Sequence, residues 1–450
     1  MKKLPIVYIA AVLSLCSLPV LLMPVLSESH SAEKRNLAEF PSLVEDGNLN
    51  PAFSEELDGW LTDHFALRSE LITANNLLKA GLFATSDEDQ VIVGKNGWLY
   101  FSETAADYIG QNQLSDEDIV HLATTLDMMN AYVEGRGGKL VFAVAPNKNT
   151  LYPDNMPAYY RRTAGETNLD RVTRQLRGKA YFADLRQALE SVGEQTYHAR
   201  DSHWNNRGAL YAYQALLDTA GKPHETYAGT PWEWRRNWEG DLDAMIFPKL
   251  GLLDWQAVFR TEWTYRYTSN FHSVEDVLIT TENEAADGSL LVFRDSFSNA
   301  LLPFLAQSYE TAKFSRATPY TLRDMETAAY DTVILEIAER NLRNLLTSAP
   351  VMPAPQREPA REPAAVDAVL KMRTVGDYRQ YYGYLEEDVP AAASVYLRFS
   401  NGTEVRYAEA FPIYEAALLQ GAGVKSNGFS AYIPTERYNG CQVSVAIAAD

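Results

Sequence analysis

The stretch LLVFRDSFSN, residues 290–299, joins a short apolar run to a cluster of polar residues. Continuous apolar runs are typical of strands that are buried on both faces of a parallel sheet. Similar runs occupy residues 140–145 and 332–337, and residues 181–183 form a shorter one. Helical patterns separate these runs, for example near residues 208–220. Strands that alternate with helices predict an α/β fold built on a doubly wound sheet.

Local signals define two elements that precede the first of these strands. Asn96-Gly97 interrupts the apolar residues of 91–101, and this dipeptide predicts a β-hairpin. Ser115 followed three residues later by Asp118 matches a capping box, so a helix is expected over residues 116–134.

The remaining segments differ in pattern from the predicted sheet. In residues 33–90 apolar residues recur at spacings of three and four, which predicts a helical lead-in. Residues 349–365 are rich in proline and are predicted to be a linker, an extended spacer that adds nothing to a core. Residues 366–450 are predicted to form a small β-rich domain, because residues 395–407 alternate around an Asn-Gly turn.

The N-terminus predicts export. Lys2 and Lys3 precede residues 4–26, which carry no charge and are long enough to cross a bilayer as a helix. The two lysines favour a cytoplasmic N-terminus with the rest of the chain outside. Residues 1–32 are therefore expected to be a signal anchor, which would leave a single-pass membrane protein. A cleaved signal peptide, which would leave a secreted protein, is the alternative.

Charge and cysteine content exclude several classes of protein. The 450 residues carry a formal net charge of -19, which disfavours nucleic-acid binding because phosphate contacts need clustered Lys and Arg. Cys16 and Cys441 are the two cysteines of the chain. They are too few for a disulfide framework or a cysteine-rich zinc site. We expect no cofactor.

Polar residues follow three of the predicted strands, at 146–148, 294–299 and 339–341. In an open α/β sheet ligands bind beyond the carboxyl ends of the strands, so these segments are expected to border a site. Ser296 is the best candidate nucleophile, because it lies in a tight turn between a strand and a helix-like stretch. The N–H groups of that helix N-terminus would face a developing negative charge.

Asp201-Ser202-His203 supplies a candidate base. In an extended segment residues i and i+2 point to the same side, so the Asp201 carboxylate is able to orient the His203 imidazole. An imidazole held in this way takes a proton from a serine and returns it to a leaving group. Two alternatives remain open from the residues alone: Asp201 caps the helix that begins near Asn206, or His198, Asp201 and His203 bind a metal.

Together these segments resemble the alginate acetyltransferase-like SGNH family, which includes the alginate biosynthesis proteins J and X. The branch labelled DHHW is the most similar, with Asp63-His64 and His203-Trp204 as its two pairs. The resemblance covers residues 33–348 and rests on GKNGWLY (94–100), PNK (146–148), DSHWN (201–205), GDL (240–242), DSFS (295–298) and ERN (339–341).

The resemblance implies an SGNH-hydrolase-like three-layer α/β/α sandwich with a parallel sheet. It also implies a catalytic triad of Ser296, His203 and Asp201. The implied reaction is O-acetylation of an exported polysaccharide, with a polytopic membrane O-acyltransferase as the partner that supplies acetyl groups. In one respect the sequence departs from the family pattern: Arg294 stands where these proteins usually have glycine.

Further residues at the strand ends are candidates for binding the oxyanion or the substrate. The N–H of Ser296 and the side chains of Asn299 and Asn341 are candidate oxyanion donors. The full set of candidates besides the triad is Asp295, Arg294, Asn299, Lys148, Arg340, Asn341 and Trp204. No resident metal is expected.

Two questions about function stay open at this point. The same triad makes an acetylesterase if water replaces the sugar hydroxyl. Alternatively, the protein is a non-catalytic polysaccharide-binding or scaffold component of an envelope assembly, in which Ser296 and His203 are too far apart to react. In the C-terminal region Tyr378, Tyr381, Tyr382 and Tyr384 either stack on sugar rings or belong to the core, and we favour the core.

Overall fold

The computed structural model describes residues 3–26, 37–45, 47–359, 361–414 and 427–448. Its α-helices are α1 (Lys3–Leu26), α2 (Phe53–His64), α3 (Arg68–Phe83), α4 (Ala105–Ile109), α5 (Asp116–Gly135), α6 (Lys148–Leu151), α7 (Asn168–Leu176), α8 (Leu185–Glu190), α9 (Asn206–Ala220), α10 (Asp241–Ile246) and α11 (Ser298–Ser308). Its 3-10 helices are Lys95–Gly97, Ser102–Thr104, Pro153–Asn155, Leu322–Glu326 and Glu339–Leu346.

The β-strands are β1 (Val44–Glu45), β2 (Asn48–Leu49), β3 (Val91–Val93), β4 (Leu99–Phe101), β5 (Lys139–Ala145), β6 (Phe182–Ala183), β7 (Trp232–Glu239), β8 (Leu253–Phe259), β9 (Arg266–Tyr267), β10 (Leu278–Glu282), β11 (Ser289–Phe293), β12 (Thr311–Ser315), β13 (Thr332–Ala338), β14 (Ala364–Ala365), β15 (Ala368–Val375), β16 (Tyr378–Leu385), β17 (Ser394–Ser400), β18 (Val405–Ala410), β19 (Gly428–Pro434) and β20 (Gln442–Ala448).

The central sheet has seven strands in the order β6-β5-β13-β11-β12-β10-β9. The first five are mutually parallel, whereas β10 is antiparallel to β12 and β9 is antiparallel to β10. The prediction of a parallel sheet is therefore wrong at this edge, and the sheet is mixed. The connections 268–277, from β9 to β10, and 283–288, from β10 to β11, are both shorter than the roughly dozen residues that a parallel crossover needs, so the chain reverses direction at each of them.

Helices cover both faces of the sheet. Side chains alternate along a strand, so Leu291 and Phe293 of β11 pack on the face covered by α5 and α7. Leu290 and Val292 pack on the opposite face, against α9 and α11. The apolar runs at 140–145, 290–293 and 332–337 thus form adjacent strands whose carboxyl ends meet at one edge.

The N-terminal helix α1 is long and apolar enough to cross a membrane, judged by length and composition alone. A signal sequence satisfies the same criterion. The end of the predicted segment 1–32 lies outside the described residues.

The helical lead-in contains two helices. Helix α2 ends where Phe65 adopts an extended backbone, and Leu67, with a φ of 64°, directly precedes the first residue of α3. The residues before them form the short β1–β2 pair, which the helical prediction did not include. The hairpin predicted over 91–101 is present as β3 and β4, and its Asn96 and Gly97 have φ of 56° and 79°.

The proline-rich segment 349–365 does not begin as an exposed spacer. Val351, Met352 and Ala354 are buried. The N–H of Ala354 donates to Tyr432 O at 2.8 Å. Apolar side chains alternate here with prolines, so an extended backbone buries its side chains between the α/β region and the C-terminal sheets.

The C-terminal region is β-rich, as predicted. One sheet has the order β15-β16-β19 and the other the order β14-β20-β17-β18, and their facing side chains share a core. Tyr378 and Tyr381 are buried, which supports the core interpretation for these two. Tyr382 and Tyr384 are half-buried, on the same face of β16 as Tyr378 and on the face opposite to Tyr381.

Gly208 provides a test of the packing that positions α9. A Cβ at this position would lie 2.3 Å from the Thr196 carbonyl oxygen and 2.9 Å from the Trp204 Cβ. We expect Gly208→Ala to lower the free energy of unfolding by about 1–3 kcal/mol, because α9 must shift. Gly135→Ala in α5 is the control, since its Cβ would meet nothing within 4 Å. Chemical denaturation measures both. Equal stability of the two variants would contradict the close packing.

Candidate active site

Ser296 lies at the carboxyl end of β11, in a turn that the Asp295 carboxylate builds. One oxygen of Asp295 accepts the N–H of Phe297 at 2.9 Å, and the other accepts the N–H of Ala338 at 2.7 Å. Asp295 thus ties the turn to the end of neighbouring β13. Both carboxylate oxygens of Asp295 thus bind backbone N–H groups of the protein. Asp295 is a structural residue of the turn, which corrects its prediction as an oxyanion- or substrate-binding candidate.

A buried carboxyl group supports the same turn. Glu336 is 1% exposed, and its Oε2 accepts the hydroxyl of Ser298 at 2.7 Å. Burial first, and then the charge of Asp295, raises the pKa of Glu336 well above its usual range. Burial thus favours the neutral form of the carboxyl group that supports the turn.

The structure brings Ser296, His203 and Asp201 into one hydrogen-bonded chain. His203 Nε2 lies 2.8 Å from Ser296 Oγ, and His203 Nδ1 lies 2.7 Å from Asp201 Oδ1. The N–H of His203 also donates to Asp201 Oδ1 at 2.9 Å. The other oxygen of Asp201 accepts the indole N–H of Trp238 and the backbone N–H of Asp241, both at 3.0 Å.

These contacts shift the protonation of the pair in opposite directions. Burial lowers the pKa of His203, but the charge and hydrogen bond of Asp201 outweigh burial and raise this pKa above its usual range. Burial raises the pKa of Asp201, but the charge and hydrogen bond of His203 outweigh it and hold the pKa far below its usual range. Asp201 is therefore a carboxylate, and His203 is a stronger base than free imidazole.

Lys148 lies beneath the loop that carries the pair and is 3% exposed. Its ammonium donates to the carbonyl oxygens of His198, Ala199 and Asp201 at 3.2, 3.1 and 2.6 Å. Burial lowers its pKa to about 7. Lys148 is thus unavailable to a substrate, which corrects its prediction as a binding residue, and instead it holds the loop in place.

Arg294 and Trp204 are also more structural than predicted. Arg294 is buried, and its guanidinium donates to Val274 O and Asp276 O at 2.8 and 3.0 Å, so it attaches a neighbouring loop to the end of β11. Trp204 is 1% exposed, and its indole N–H donates to Phe297 O at 3.0 Å. The indole N–H of Trp204 and the terminal nitrogens of Arg294 are bonded to protein groups, whereas Arg294 Nε is buried without a partner among the described residues.

The other predicted residues are arranged around the turn. Asn299 lines the cavity beside Ser296, but its amide oxygen accepts from Arg294 and its amide nitrogen donates to Glu275, both at 2.7 Å. Arg340 is half-buried, with its guanidinium over the rings of Phe101 and Phe297. Asn341 follows it in the 3-10 helix and does not line the cavity.

The Asp63-His64 pair has a structural place in α2. Asp63 accepts the N–H of Ala38 at 2.8 Å, and His64 Nδ1 lies 3.0 Å from Trp60 O. Neither residue lines the cavity that contains Ser296.

The group of possible metal ligands in the structure differs from the predicted group of His198, Asp201 and His203. Ligand atoms of Asp201, His203 and Asp241 lie within 4.8 Å of one another. His198 is not in this group, because its ring stacks on Trp238 and its Nε2 lies 3.4 Å from the Gln256 amide nitrogen. The Nδ1 of His203, which a cation would use here, is already bonded to Asp201.

Two residues that sequence reasoning left without a role complete the site. Asp241 accepts the hydroxyl of Ser202 at 2.6 Å, and its Oδ2 lies 3.6 Å from His203 Nδ1. Burial, and then the charge of Asp201, raises the pKa of Asp241. Trp238 binds the second oxygen of Asp201. The signal available in the sequence was the GDL segment at 240–242. In the structure a Cβ at Gly240 would lie 2.3 Å from Arg200 O, so only glycine lets the two loops meet.

Comparisons with known proteins agree with the motifs. Residues 91–318 match a protein-family model described as the SGNH hydrolase-like domain of acetyltransferase AlgX. A "Probable alginate O-acetylase AlgJ" of Pseudomonas syringae is 28% identical over 190 residues, which are 40% of this chain and 46% of the relative. The chain therefore spans less than half the length of this curated relative.

Solved structures give weaker similarities. PatB1 of Bacillus cereus has 17% identity and a TM-score of 0.46, over 56% of this chain and 96% of that one. A DHHW family protein of Eubacterium siraeum has 18% identity and a TM-score of 0.43, over 58% of this chain and 94% of that one.

The pairing of Asp201 with His203 is testable by NMR titration of the histidines. In the native protein we expect the pKa of His203 to lie above 6.5. In Asp201→Asn burial acts without the opposing charge, so the pKa of His203 should fall below the native value. Asp218→Asn is the matched control, because Asp218 lies 4.0 Å from His224 instead. A pKa of His203 that is equal in both variants would contradict the pairing.

Proposed function

Because this chain belongs to the family of SGNH hydrolase-like domains described for the acetyltransferase AlgX, we propose that it is an extracytoplasmic O-acetyltransferase that modifies a polysaccharide. The family match covers half of the 450 residues and confirms the resemblance found in the motifs. The observation that carries the proposal is the continuous chain from Asp201 through His203 to Ser296.

The first half-reaction forms an acetyl-serine. Ser296 Oγ attacks the acetyl carbonyl of the donor while its proton moves to His203 Nε2. The tetrahedral intermediate collapses, the bond to the leaving group breaks, and the imidazolium returns the proton to that group. Asp201 holds the imidazole in the tautomer that this transfer needs and stabilises its positive charge.

The second half-reaction moves the acetyl group to the sugar. A sugar hydroxyl attacks the carbonyl of acetyl-Ser296, and its proton moves to His203 Nε2. The bond between the carbonyl carbon and Ser296 Oγ then breaks, and Oγ takes the proton from the imidazolium. The enzyme returns to its starting state, and the product is an O-acetylated sugar.

The turn at Ser296 contains a candidate donor for the oxyanion, which is the backbone N–H of Ser296. Among the residues that the structure describes, none accepts a backbone hydrogen bond from the Ser296 N–H. Helix α11 begins two residues later and adds the positive end of its dipole. The positive charge of Arg340 opposes protonation of His203, although burial and the Asp201 charge act more strongly and the pKa of His203 stays raised.

The same geometry bears on two alternative functions, an acetylesterase and a non-catalytic scaffold. An acetylesterase shares every step except that water replaces the sugar hydroxyl. A non-catalytic scaffold would tolerate a separation of Ser296 and His203 beyond about 6 Å, well outside hydrogen-bond reach. Their 2.8 Å contact supports catalysis over the scaffold.

The location of the enzyme is part of the proposal. Helix α1 would anchor the chain, with Lys2 and Lys3 in the cytoplasm and the α/β region, residues 33–348, outside. A cleaved signal peptide would release the same domain. Since acetyl donors are made in the cytoplasm, a polytopic membrane O-acyltransferase is the partner that would pass acetyl groups to Ser296. Residues 366–450 would form a separate β domain.

Hydrolysis of a chromogenic acetyl ester tests the nucleophile. We expect Ser296→Ala to reduce kcat/KM on the order of 10^3-fold or more, because the step that forms acetyl-serine is lost. Ser191→Ala is the control, since this exposed serine donates only to Ala188 O. Equal rates of Ser296→Ala and native protein would remove Ser296 from the reaction. Acetylated oligosaccharide among the products would separate a transferase from an esterase.

The pH dependence tests the base. The neutral form of His203 accepts the proton, and its pKa is raised, so activity should rise with pH along a limb that lies above pH 6.5. Asp201→Asn should move this limb to lower pH and reduce kcat by about 10^4-fold. Rate profiles from pH 5 to 9 measure both effects. A limb that stays in place in Asp201→Asn would show that another group is titrating.

A further inference from the structure

A cavity of about 460 Å³ opens beside Ser296. The β7–β8 hairpin forms one wall with Trp238 and Glu239, and the first residue of α10, Asp241, lies next to them. This cavity is the space from which an acceptor hydroxyl would reach an acetyl group on Ser296. The properties of its walls therefore bear on which sugar fits.

Trp238 presents a fixed aromatic face to this cavity. Its indole N–H is bonded to Asp201, and one face of its ring stacks on buried His198, with ring centroids 4.9 Å apart and planes 5° apart. The side chain is nevertheless 37% exposed. With one face covered, the exposed area belongs to the other face. A rigid indole face of this kind stacks on the apolar C–H face of a pyranose at little cost in conformational entropy.

Acidic side chains outnumber basic ones around that face. The ionisable residues that line the cavity are Asp201, His203, Glu239, Asp241 and Glu275. Of the lining residues in the described part of the chain, none is a lysine or an arginine. Glu275 is paired with Arg316, but Glu239 is exposed and Asp241 is partly exposed. Arg340, over Phe101 and Phe297, is not part of this wall.

A carboxylate placed in this cavity would meet Glu239 and Asp241 at close range, and His203 is the only basic side chain among the lining residues in the described part of the chain. Like charges repel more strongly there than in water, because the surrounding protein lowers the effective dielectric constant. An ammonium group would instead be attracted by Glu239 and by the face of Trp238, and it would favour the ionised form of Asp241, whose pKa is raised. An uncharged sugar would bind without this electrostatic repulsion.

From these observations we infer that the acceptor subsite binds an uncharged or amino-bearing pyranose, and not a uronate, with its ring stacked on Trp238 beside Glu239 and Asp241. The inference rests on the proposed transferase function and adds the chemical class of its substrate. It separates this chain from an acetylase of polyuronates.

In the direct test, the full-length protein in detergent receives 4-nitrophenyl acetate as the acetyl donor. Three acceptors, all of the same length as one another, are compared. The acceptors are a chito-oligosaccharide with free amines, a cello-oligosaccharide and an oligouronate. Mass spectrometry measures acetylated product at low and high salt. We expect transfer to at least one of the first two, with the oligouronate about tenfold slower or worse at low salt and less disfavoured at high salt.

Transfer to the oligouronate at an equal or higher rate, or to none of the three, would overturn the inference. Release of 4-nitrophenol without any acceptor reports the triad separately. If Ser296→Ala and native protein release it equally, the proposed function has failed rather than the subsite.

Variants of Trp238 distinguish its hydrogen bond to Asp201 from its proposed stacking on the sugar. Trp238→Phe keeps a ring but loses the N–H bond to Asp201, so it should slow ester hydrolysis while the KM for the acceptor stays near the native value. Trp238→Ala loses the ring as well and should raise that KM about tenfold. Trp234→Ala is the matched control, because Trp234 is exposed on the same strand and does not line the cavity. An acceptor KM that rises equally in Trp238→Ala and Trp234→Ala would contradict stacking on Trp238.

Discussion

The 2.8 Å contact between His203 Nε2 and Ser296 Oγ joins two segments that are 93 residues apart in the chain. Neither segment is a regular element at the point of contact, so each depends on separate supports. Asp295 ties the serine turn to the end of β13, and Lys148 ties the histidine loop through three carbonyl oxygens. An error of about 1 Å in either support would break a geometry on which acyl transfer depends.

The same supports create an unusual electrostatic environment. The ammonium of Lys148 and the carboxylate of Asp201 are buried close together, and each is compensated by hydrogen bonds. The hydrogen bonds that Lys148, Trp238 and Asp241 make to this segment hold the loop in place, so His203 keeps an orientation that free imidazole would not hold. The orientation of the imidazole and its raised pKa both depend on buried Asp201.

The sequence was most informative where a signal is local. Ser296 follows a buried strand, Asp201 and His203 are two residues apart, and Ser115 caps α5, so each was predictable from its neighbours. The antiparallel edge strands β9 and β10 were not, because their pairing depends on a short connection between weakly patterned residues. Asp241 reaches Asp201 only through the close approach at Gly240, which a single sequence does not reveal.

Burial was the property that the sequence predicted least well. Lys148 and Arg294 have the chemistry of substrate ligands, and only the tertiary structure shows that backbone oxygens occupy them. Prolines at 353 and 355 indicated a spacer, yet Met352 and Ala354 beside them are buried. Trp238 is instead more exposed than its residue type suggests, because a tryptophan in a strand ordinarily belongs to the core. Here the β7–β8 hairpin leaves one face of its ring open to the cavity.

In the proposed mechanism Ser296 carries the acetyl group between donor and sugar. The most direct measurement is peptide mass spectrometry of the protein after rapid acid quenching during turnover of an acetyl ester without an acceptor. We expect one acetylated peptide, with the acetyl group on Ser296 and removed when a suitable oligosaccharide is added. An acetyl group on another residue, or one on Ser296 that persists when oligosaccharide is acetylated at full rate, would contradict it.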